Sequence, residues 1–339
     1  LEEGTAEVKG IAFTEPKSPE EIIRILKIDT EKWKLSSYWN KQHKEYWLVS
    51  AMISQKKLEP QDFLSETIKN FNPKYIPVAK VHINDKFSDP TVGVLSIQDL
   101  HFGKEDNADV KTAFEKAIQE LMLRSYYSHK LEKIVYVIGG DLLNMDTFGG
   151  LTTKGTPVDS DQRAQDAYDT AFESMFWSVN FIKQFCDTLE VVYLPGNHDR
   201  LSSYHLVHAL SKCFIKEPNV EFNATYSERK VITYGDNFFA FEHGDVTKKL
   251  TPLVYATEFP KQWGATIFRT CYTGHFHTKK VTEFVTDNEV HGFAIKHLPS
   301  LCKTDYWHYH NKFTGSKRQA IMEIHDKVKG KISEFTYTA

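Results

Sequence analysis

The sequence is poor in cysteine and in long apolar runs, and each shortage excludes a class of protein. Its four cysteines, among 339 residues, stand far apart and form no C-x-x-C pair, which argues against a zinc knuckle and a disulfide scaffold. They are Cys186, Cys213, Cys271 and Cys302. Their apolar neighbours indicate buried thiols in a reducing compartment, so we expect a cytoplasmic protein. No apolar stretch approaches the roughly 20 residues that cross a bilayer, and we expect no membrane association.

An excess of charge is also missing, with 42 basic and 45 acidic residues and a net charge of −3. Any attraction to nucleic acid must therefore be local. A local excess lies between Lys32 and Lys57, where six lysines and one acidic residue stand among aromatic side chains such as Trp39 and Trp47. Such a basic, aromatic segment suits single-stranded nucleic acid. A small domain with an aromatic core and solvated lysines explains the same composition, so both interpretations stay open.

The length suits one large catalytic domain with a small appendage. We place a small α+β domain for nucleic-acid or partner binding at residues 1–90 and the catalytic domain at residues 91–339. In the first, Ser18-Pro19-Glu20-Glu21 predicts a helix start. A hairpin is predicted over residues 34–57 with its turn at residues 40–43, followed by a helix over 61–71 and a linker over 72–90.

From Val92 onward, strands alternate with helices, which indicates α/β construction. The predicted strands over 92–98 and 134–138 enclose a helix over 110–127, and further helices are predicted over 161–185 and 202–213. The later part is rich in strands, with turns expected at residues 286–288 and 329–330. Between them, residues 142–160 form a long connection rich in Gly and Thr, which we interpret as a substrate-contacting loop.

Five predicted strands end in residues that can bind metal or transfer protons. These residues are Asp99, His101, Asp141, Asn197, His198, His243, His275 and His277. Side chains two apart at a strand end, as in Asp99-x-His101, point the same way and can bind one ion. Oxygen and imidazole donors without thiolate favour manganese, iron or zinc. Even without His198, the seven remaining residues are too many ligands for one ion and suit two ions that share a carboxylate.

In this order, the motifs Asp-x-His, Gly-Asp, Gly-Asn-His-Asp, His-Gly and Gly-His-x-His resemble those of the calcineurin-like metallophosphoesterase superfamily. The resemblance covers roughly residues 92–298. It implies an α/β (α+β) fold, a four-layer αββα sandwich, with two divalent ions, manganese first and iron, zinc or magnesium as alternatives. It also implies that His198 binds no metal but faces the scissile phosphate, where it stabilises the transition state or protonates the leaving oxygen.

The same resemblance implies a division of the metal ligands. The first ion would be held by Asp99, His101, Asp141 and His277. The second would be held by Asp141, Asn197, His243 and His275. Asp141 would then bridge the two ions.

Within the superfamily, the chain looks closer to DNA-repair exonucleases, and in particular to members encoded by bacteriophages, for which the compartment would be the host cytoplasm. The Gly-Asn-His-Asp form argues against a protein substrate. Asn144 stands where the repair nucleases carry a second histidine, which argues against processive double-strand exonuclease action. We expect substrate contacts from Arg200, Asn144 and His308. For Arg200 a helix carboxylate is the alternative partner, and for residues 303–312, which include His308, packing on the sandwich is the alternative to lining a groove.

The sequence thus predicts a two-metal phosphoesterase, with nuclease action on DNA or RNA as the leading hypothesis. The alternative is a phosphohydrolase of nucleotides or cyclic nucleotides. A third hypothesis, an inactive scaffold, is disfavoured because every ligand position is intact. Strand polarity, endo or exo action and the oligomeric state, a homodimer included, are left open.

Overall fold

A computed structural model describes residues 5–30, 32–43, 45–55, 89–105, 107–246, 251–275, 287–289, 292–303 and 318–339. Packing divides the chain into two compact units, Leu1–Asn72 and Pro73–Ala339. The helix expected over residues 61–71 and nearly all of the expected linker lie outside the described residues. The division at residue 90 and the roles of the two domains stay predictions.

The first unit is a three-stranded antiparallel sheet with one helix on it. The strands β1 (Thr5–Ala12), β2 (Trp33–Gln42) and β3 (Trp47–Gln55) are ordered β1-β3-β2, and α1 is Pro19–Ile25. The predicted start of α1 is confirmed, because the Glu21 amide donates to Ser18 Oγ at 3.3 Å and Pro occupies the first turn. The hairpin is also confirmed, although β2 continues to Gln42 and the turn therefore lies later than predicted.

The larger unit contains a six-stranded sheet ordered β14-β13-β4-β5-β6-β7. Its strands are β4 (Pro90–Ser96), β5 (Lys130–Gly139), β6 (Thr188–Leu194), β7 (Val220–Asn223), β13 (Gln319–Asp326) and β14 (Gly330–Thr338). The strands from β4 to β7 are parallel to one another, and β13 is antiparallel to β4. Parallel strands need crossovers, and the helices α2 (Val110–Ser128), α3 (Ala164–Ile182) and α4 (Arg200–Cys213) supply them.

A second sheet of the same unit has the order β11-β12-β10-β9-β8. Its strands are β8 (Lys230–Tyr234), β9 (Asn237–Glu242), β10 (Phe268–Thr273), β11 (Asp287–Glu289) and β12 (Phe293–His297). Two short helices, α5 (Thr251–Glu258) and α6 (Pro260–Gly264), lie between β9 and β10 in the chain. The strands β9, β10 and β12 are parallel to one another.

Successive side chains of β9 point to opposite faces of its sheet, and their contacts show how the two sheets and the helices are layered. Phe239 and Phe241 belong to a buried cluster that also holds valines of β4, β5 and β6, so this face of β9 meets the first sheet. Phe238, on the opposite face, packs with Tyr255 of α5 and Trp263 of α6. On the outer face of the first sheet, α2 contacts β5, β13 and β14. The expected four-layer αββα sandwich is therefore confirmed.

Two local predictions in this unit are wrong. Residues 287–289 form β11 instead of a turn, and β11 pairs antiparallel with β12, with Asp287 opposite Lys296. The reversal lies after Glu289, where Gly292 adopts a φ of +69° that glycine reaches without strain. Of the cysteines, Cys213 is exposed at the end of α4, whereas the other three are buried as expected. Across the described residues, the helices are all too short or too polar to span a membrane.

Candidate metal centre

The candidate centre lies at the carboxyl ends of five strands. Asp99 and His101 follow β4, Asp141 follows β5, and Asn197 with His198 follows β6. From the second sheet, His243 follows β9 directly, and His275 comes two residues after β10. Since β4, β5 and β6 are parallel, and β9 and β10 are parallel, each sheet delivers its polar residues at one edge.

The backbone of the centre is strained. Of the five non-glycine residues with positive φ in the described part of the chain, four are Asp99, His101, Asp141 and His275, with φ of 56°, 47°, 60° and 69°. Such conformations cost about 1–3 kcal/mol each and persist only where their surroundings fix them. Backbone bonds do so here: the Asp99 amide donates to Gly140 O at 2.8 Å, and the His101 amide donates to Asp141 O at 3.1 Å.

Two glycines allow the strand ends to approach one another closely. A Cβ on Gly196 would lie 2.1 Å from the Asp141 amide nitrogen, and one on Gly274 would lie 2.5 Å from Asp99 Oδ2. Both distances are far inside van der Waals contact, so any side chain at these positions would displace a carboxylate of the centre. Glycine is therefore required for steric reasons at these positions of the Gly-Asn-His-Asp and Gly-His motifs.

The carboxylate of Asp141 is the hub of the centre. Its Oδ1 accepts the His198 amide at 2.8 Å, and its Oδ2 lies 3.0 Å from His243 Nε2. The same His243 nitrogen lies 3.0 Å from Asn197 Oδ1. The ring of His275 meets that of His243 edge to face, with 5.0 Å between their centroids. Oxygen and imidazole atoms from both sheets therefore converge on one buried carboxylate.

Two sets of residues offer ligand atoms that all lie within 4.8 Å of one another. One set is His101, Asp141 and His198, and the other is Asp141, His243 and His275. Asp141 belongs to both, which is the arrangement that a carboxylate shared by two ions requires. The first set differs from the one that the resemblance implies, because it includes His198. Asp99 lies close by, with Oδ1 4.0 Å from His101 Nε2.

Burial and nearby charges shift the pKa values of the centre. Burial raises the pKa of Asp99 to about 7. Burial opposes ionisation of Asp141, but His243 outweighs it and holds the pKa of Asp141 well below its usual range. Burial likewise lowers the pKa of His243, but Asp141 outweighs it and raises that pKa to about 9. A divalent ion bound by His243 must therefore displace a proton.

A hydrogen bond to the backbone fixes the orientation of the His198 ring. Its Nδ1 lies 2.9 Å from the backbone carbonyl oxygen of Asn144. A carbonyl only accepts, so Nδ1 carries the proton and donates it. The other nitrogen, Nε2, lies 4.0 Å from Asp141 Oδ2, and the ring meets that of His101 edge to face at 4.7 Å. With a quarter of its side chain exposed, His198 is accessible from solvent at the centre.

The remaining predicted site residues occupy varied positions. The Asn144 side chain is buried and donates to Asp159 O at 2.9 Å, which places it behind His198. The Arg200 guanidinium pairs with Glu228 and lies 3.6 Å from Asp245 Oδ2, so its carboxylate partners come from loops and not from a helix. Their substrate contacts stay predictions. His277 and His308 lie outside the described residues.

Several supporting residues were missed by sequence reasoning. Ser300 Oγ donates to Asp99 O at 2.7 Å, and Asn107 Nδ2 donates to the carbonyl oxygens of Leu100 and His101 at 3.0 and 3.3 Å. Asp146 bonds the start of α4 from 56 residues away. Ser300 and Asp146 bind backbone at long sequence separation, and no local pattern reports such a bond, whereas Asn107 binds backbone only six and seven residues before it.

Comparison with known proteins adds little to this geometry. No known protein family and no curated protein matches the chain. Among solved structures, the chain is similar to the crystal structure of Chaetomium thermophilum Vps29, at 10% sequence identity. The match covers 73% of this chain and 98% of that chain, with a TM-score of 0.32. A likeness at this level carries no argument about function, which rests on the residues of the centre.

Proposed function

We propose that this chain is a two-metal phosphodiesterase that hydrolyses nucleic acid. The observation that carries the proposal is the Asp141 carboxylate, which lies within 4.8 Å of ligand atoms of His101 and also of His243 and His275, with the non-ligand His198 beside it. A carboxylate shared by two ions, with an imidazole donor beside it, suits in-line phosphoryl transfer with two ions. Two divalent ions about 3.5–4 Å apart lower the pKa of bound water and stabilise the attacking and leaving oxygens.

The donors present fit such ions. Asp99, Asp141 and Asn197 supply oxygens, whereas His101, His243 and His275 supply imidazole nitrogens, and thiolate is missing from both sets. The donor atoms also lie close enough together to share an ion, because His243 Nε2 lies 3.0 Å from oxygens of both Asp141 and Asn197. This set suits manganese, with iron, zinc and magnesium as alternatives. We assign the first ion to Asp99, His101, Asp141 and His277, and the second to Asp141, Asn197, His243 and His275.

His198 is assigned the proton and hydrogen-bond chemistry. Its Nδ1 is engaged by Asn144 O, which leaves Nε2 as the nitrogen that faces the centre. When protonated, Nε2 donates to a phosphoryl oxygen, where negative charge develops in the transition state, or to the leaving oxygen. Such positioned donors contribute about 10²–10⁴-fold to rate.

The first unit supports nucleic acid as the substrate. Lys9 and Trp39 both pair with Ser50, so they lie on the sheet face opposite to the one that α1 covers. Lys41 lies on the same open face, and Trp39 is 48% exposed there. An exposed indole stacks on a base, and lysines beside it bind phosphates.

A substrate panel tests the proposal. Purified protein with Mn²⁺ is challenged in parallel with single-stranded DNA, double-stranded DNA, RNA, mononucleotides, cyclic nucleotides and a bis-aryl phosphate. The expected result is metal-dependent cleavage of oligonucleotides and of the bis-aryl phosphate, absent in Asp141→Asn. Turnover of mononucleotides or cyclic nucleotides alone would replace nucleic acid by the phosphohydrolase alternative. Inactivity on the whole panel would contradict the proposal.

A further inference from the structure

The connection over residues 142–160 is fastened to the segment that carries His198. We infer that Asp146, in this connection, is a positioning residue that holds His198 in its working orientation. The inference rests on the proposed function of His198. It assigns to this connection a support role beyond the substrate contact that its length suggested.

The Asp146 carboxylate caps the first turn of α4, which begins two residues after His198. Its Oδ1 accepts the Ser202 amide at 2.8 Å and the Ser202 hydroxyl at 2.7 Å, and its Oδ2 accepts the Leu201 amide at 3.2 Å. These amides are among the unpaired donors that every helix start leaves. The N-cap residue Asp199 uses its own carboxylate elsewhere, accepting the Leu143 amide at 2.7 Å. The two segments thus hold each other by reciprocal bonds.

Thr153 extends this fastening to His198 itself. Its hydroxyl donates to Asp146 Oδ2 at 2.8 Å and accepts the Arg200 amide at 3.1 Å. Its amide donates to the carbonyl oxygen of His198 at 3.1 Å. His198 is therefore held through its carbonyl by Thr153 and through its ring by Asn144 O. Both contacts come from one connection.

The connection has internal bonds that make it a suitable support. The Asp146 amide donates to Leu151 O at 2.8 Å, and the Thr152 amide donates to Thr156 O at 2.9 Å. A bridge also joins Leu151 to Pro157. Because the Asp146 carboxylate joins this small framework to α4, its loss should free the His198 ring while the metal ligands keep their places.

A double-mutant cycle with a small substrate tests the inference. A bis-aryl phosphate is used because it is too small to need contacts along the connection. We expect Asp146→Ala to lower kcat about 10-fold with little change in KM, and to lower it less than about 2-fold in a His198→Ala background. Metal affinity should be unchanged in both. The control Asp161→Ala, an exposed acid just after the connection, should leave kcat unchanged.

Thr153 provides a matched pair for the same test. Thr153→Val removes the hydroxyl at nearly constant volume and should lower kcat as Asp146→Ala does. Thr153→Ser keeps the hydroxyl and should keep kcat near the wild-type value. If Asp146→Ala lowered kcat equally in the wild-type protein and in the His198→Ala variant, the inference would be overturned. Equal activities of the Val and Ser variants would also overturn it.

A readout without turnover separates this inference from the proposed function. In metal-free protein, long-range proton–nitrogen NMR of the His198 ring should show one tautomer, with the proton on Nδ1. Asp146→Ala should give a mixture of tautomers, and Asp161→Ala should not. If the wild-type protein hydrolyses no phosphodiester, the proposed function fails, whereas an unchanged tautomer in Asp146→Ala would refute the positioning role alone.

Discussion

Glu323 lies buried between the two sheets, and replacing it by Gln should destabilise the protein by about 3 kcal/mol. Its Oε1 lies 2.5 Å from Lys296 Nζ and 3.0 Å from Lys331 Nζ. Its Oε2 accepts the Tyr272 hydroxyl at 2.5 Å and lies 3.4 Å from His325 Nε2. These bonds join β13 of the first sheet to β10 and β12 of the second. Since the two sheets carry different ligands of the candidate centre, the network helps to fix their alignment.

The size of the destabilisation by Glu323→Gln depends on the ion pair that Lys296 keeps after the substitution. Removing one partner of a buried ion pair costs about 3–5 kcal/mol, because the other charge is left without compensation. Lys296 is 1% exposed but also contacts Glu334 Oε2 at 2.6 Å, so the low end applies. Urea unfolding followed by circular dichroism measures the loss. The control is Glu120→Gln, whose half-exposed pair with Arg124 should contribute less than about 1 kcal/mol.

The pH dependence of this loss has a definite sign. Burial opposes ionisation of Glu323, but its bonds with His325 and Lys296 outweigh burial and hold the pKa of Glu323 well below its usual value of 4.5. A carboxylate whose pKa is lower in the folded than in the unfolded protein stabilises the fold at pH values above its unfolded-state pKa. This stabilisation is lost as the pH falls from the unfolded-state pKa towards the folded-state pKa. The difference between wild type and Glu323→Gln should therefore be largest near neutrality and shrink below about pH 4.5. A difference under 1 kcal/mol at pH 7, or one that grows in acid, would refute the reasoning.

Three further predictions concern the centre and its substrate. Gly196→Ala should lose metal affinity and activity, because its Cβ would lie 2.1 Å from the Asp141 amide, whereas Gly149→Ala, with its nearest atom at 3.8 Å, should keep both in a metal titration. Manganese affinity should fall with decreasing pH below about 9, because a proton on His243 competes with the ion, and pH-independent calorimetric affinity would contradict this. Lys34 pairs with Ser54 and so lies on the same open face of the first unit as Lys41. Changing both to Ala should lower the log-log salt slope of oligonucleotide binding by about 0.7–0.9 per lost contact, while Lys212→Ala, in α4 of the larger unit, leaves the slope unchanged.

The fold and the strand-end placement of the candidate ligands could be predicted from sequence because both depend on local patterns. In α3, Ala167, Ala171, Met175 and Val179 are spaced to bury one face, and all four are buried. The strand ends that deliver Asp141 and Asn197 are marked by apolar runs cut off at glycine or proline. Such signals lie within one element, so a single sequence contains them.

What could not be predicted depends on contacts between distant segments. The bonds from Asp146 to the start of α4 join residues 56 apart, and neither segment alone reports them. The position of β11 was missed because it is a three-residue polar strand whose register is set by pairing with β12. The long connection after Asp141 was identified by its length, but its support of His198 becomes visible only when β5 and β6 lie side by side.

Electron paramagnetic resonance of the manganese-loaded protein tests the central claim most directly. If Asp141 bridges two ions, the wild-type protein should bind two Mn²⁺ per chain and give the spectrum of an exchange-coupled pair. Asp141→Asn should abolish the coupling, whereas His198→Ala, which changes no assigned ligand, should preserve it. A single uncoupled ion in the wild-type protein, or coupling that survives in Asp141→Asn, would contradict a centre built on the shared Asp141 carboxylate.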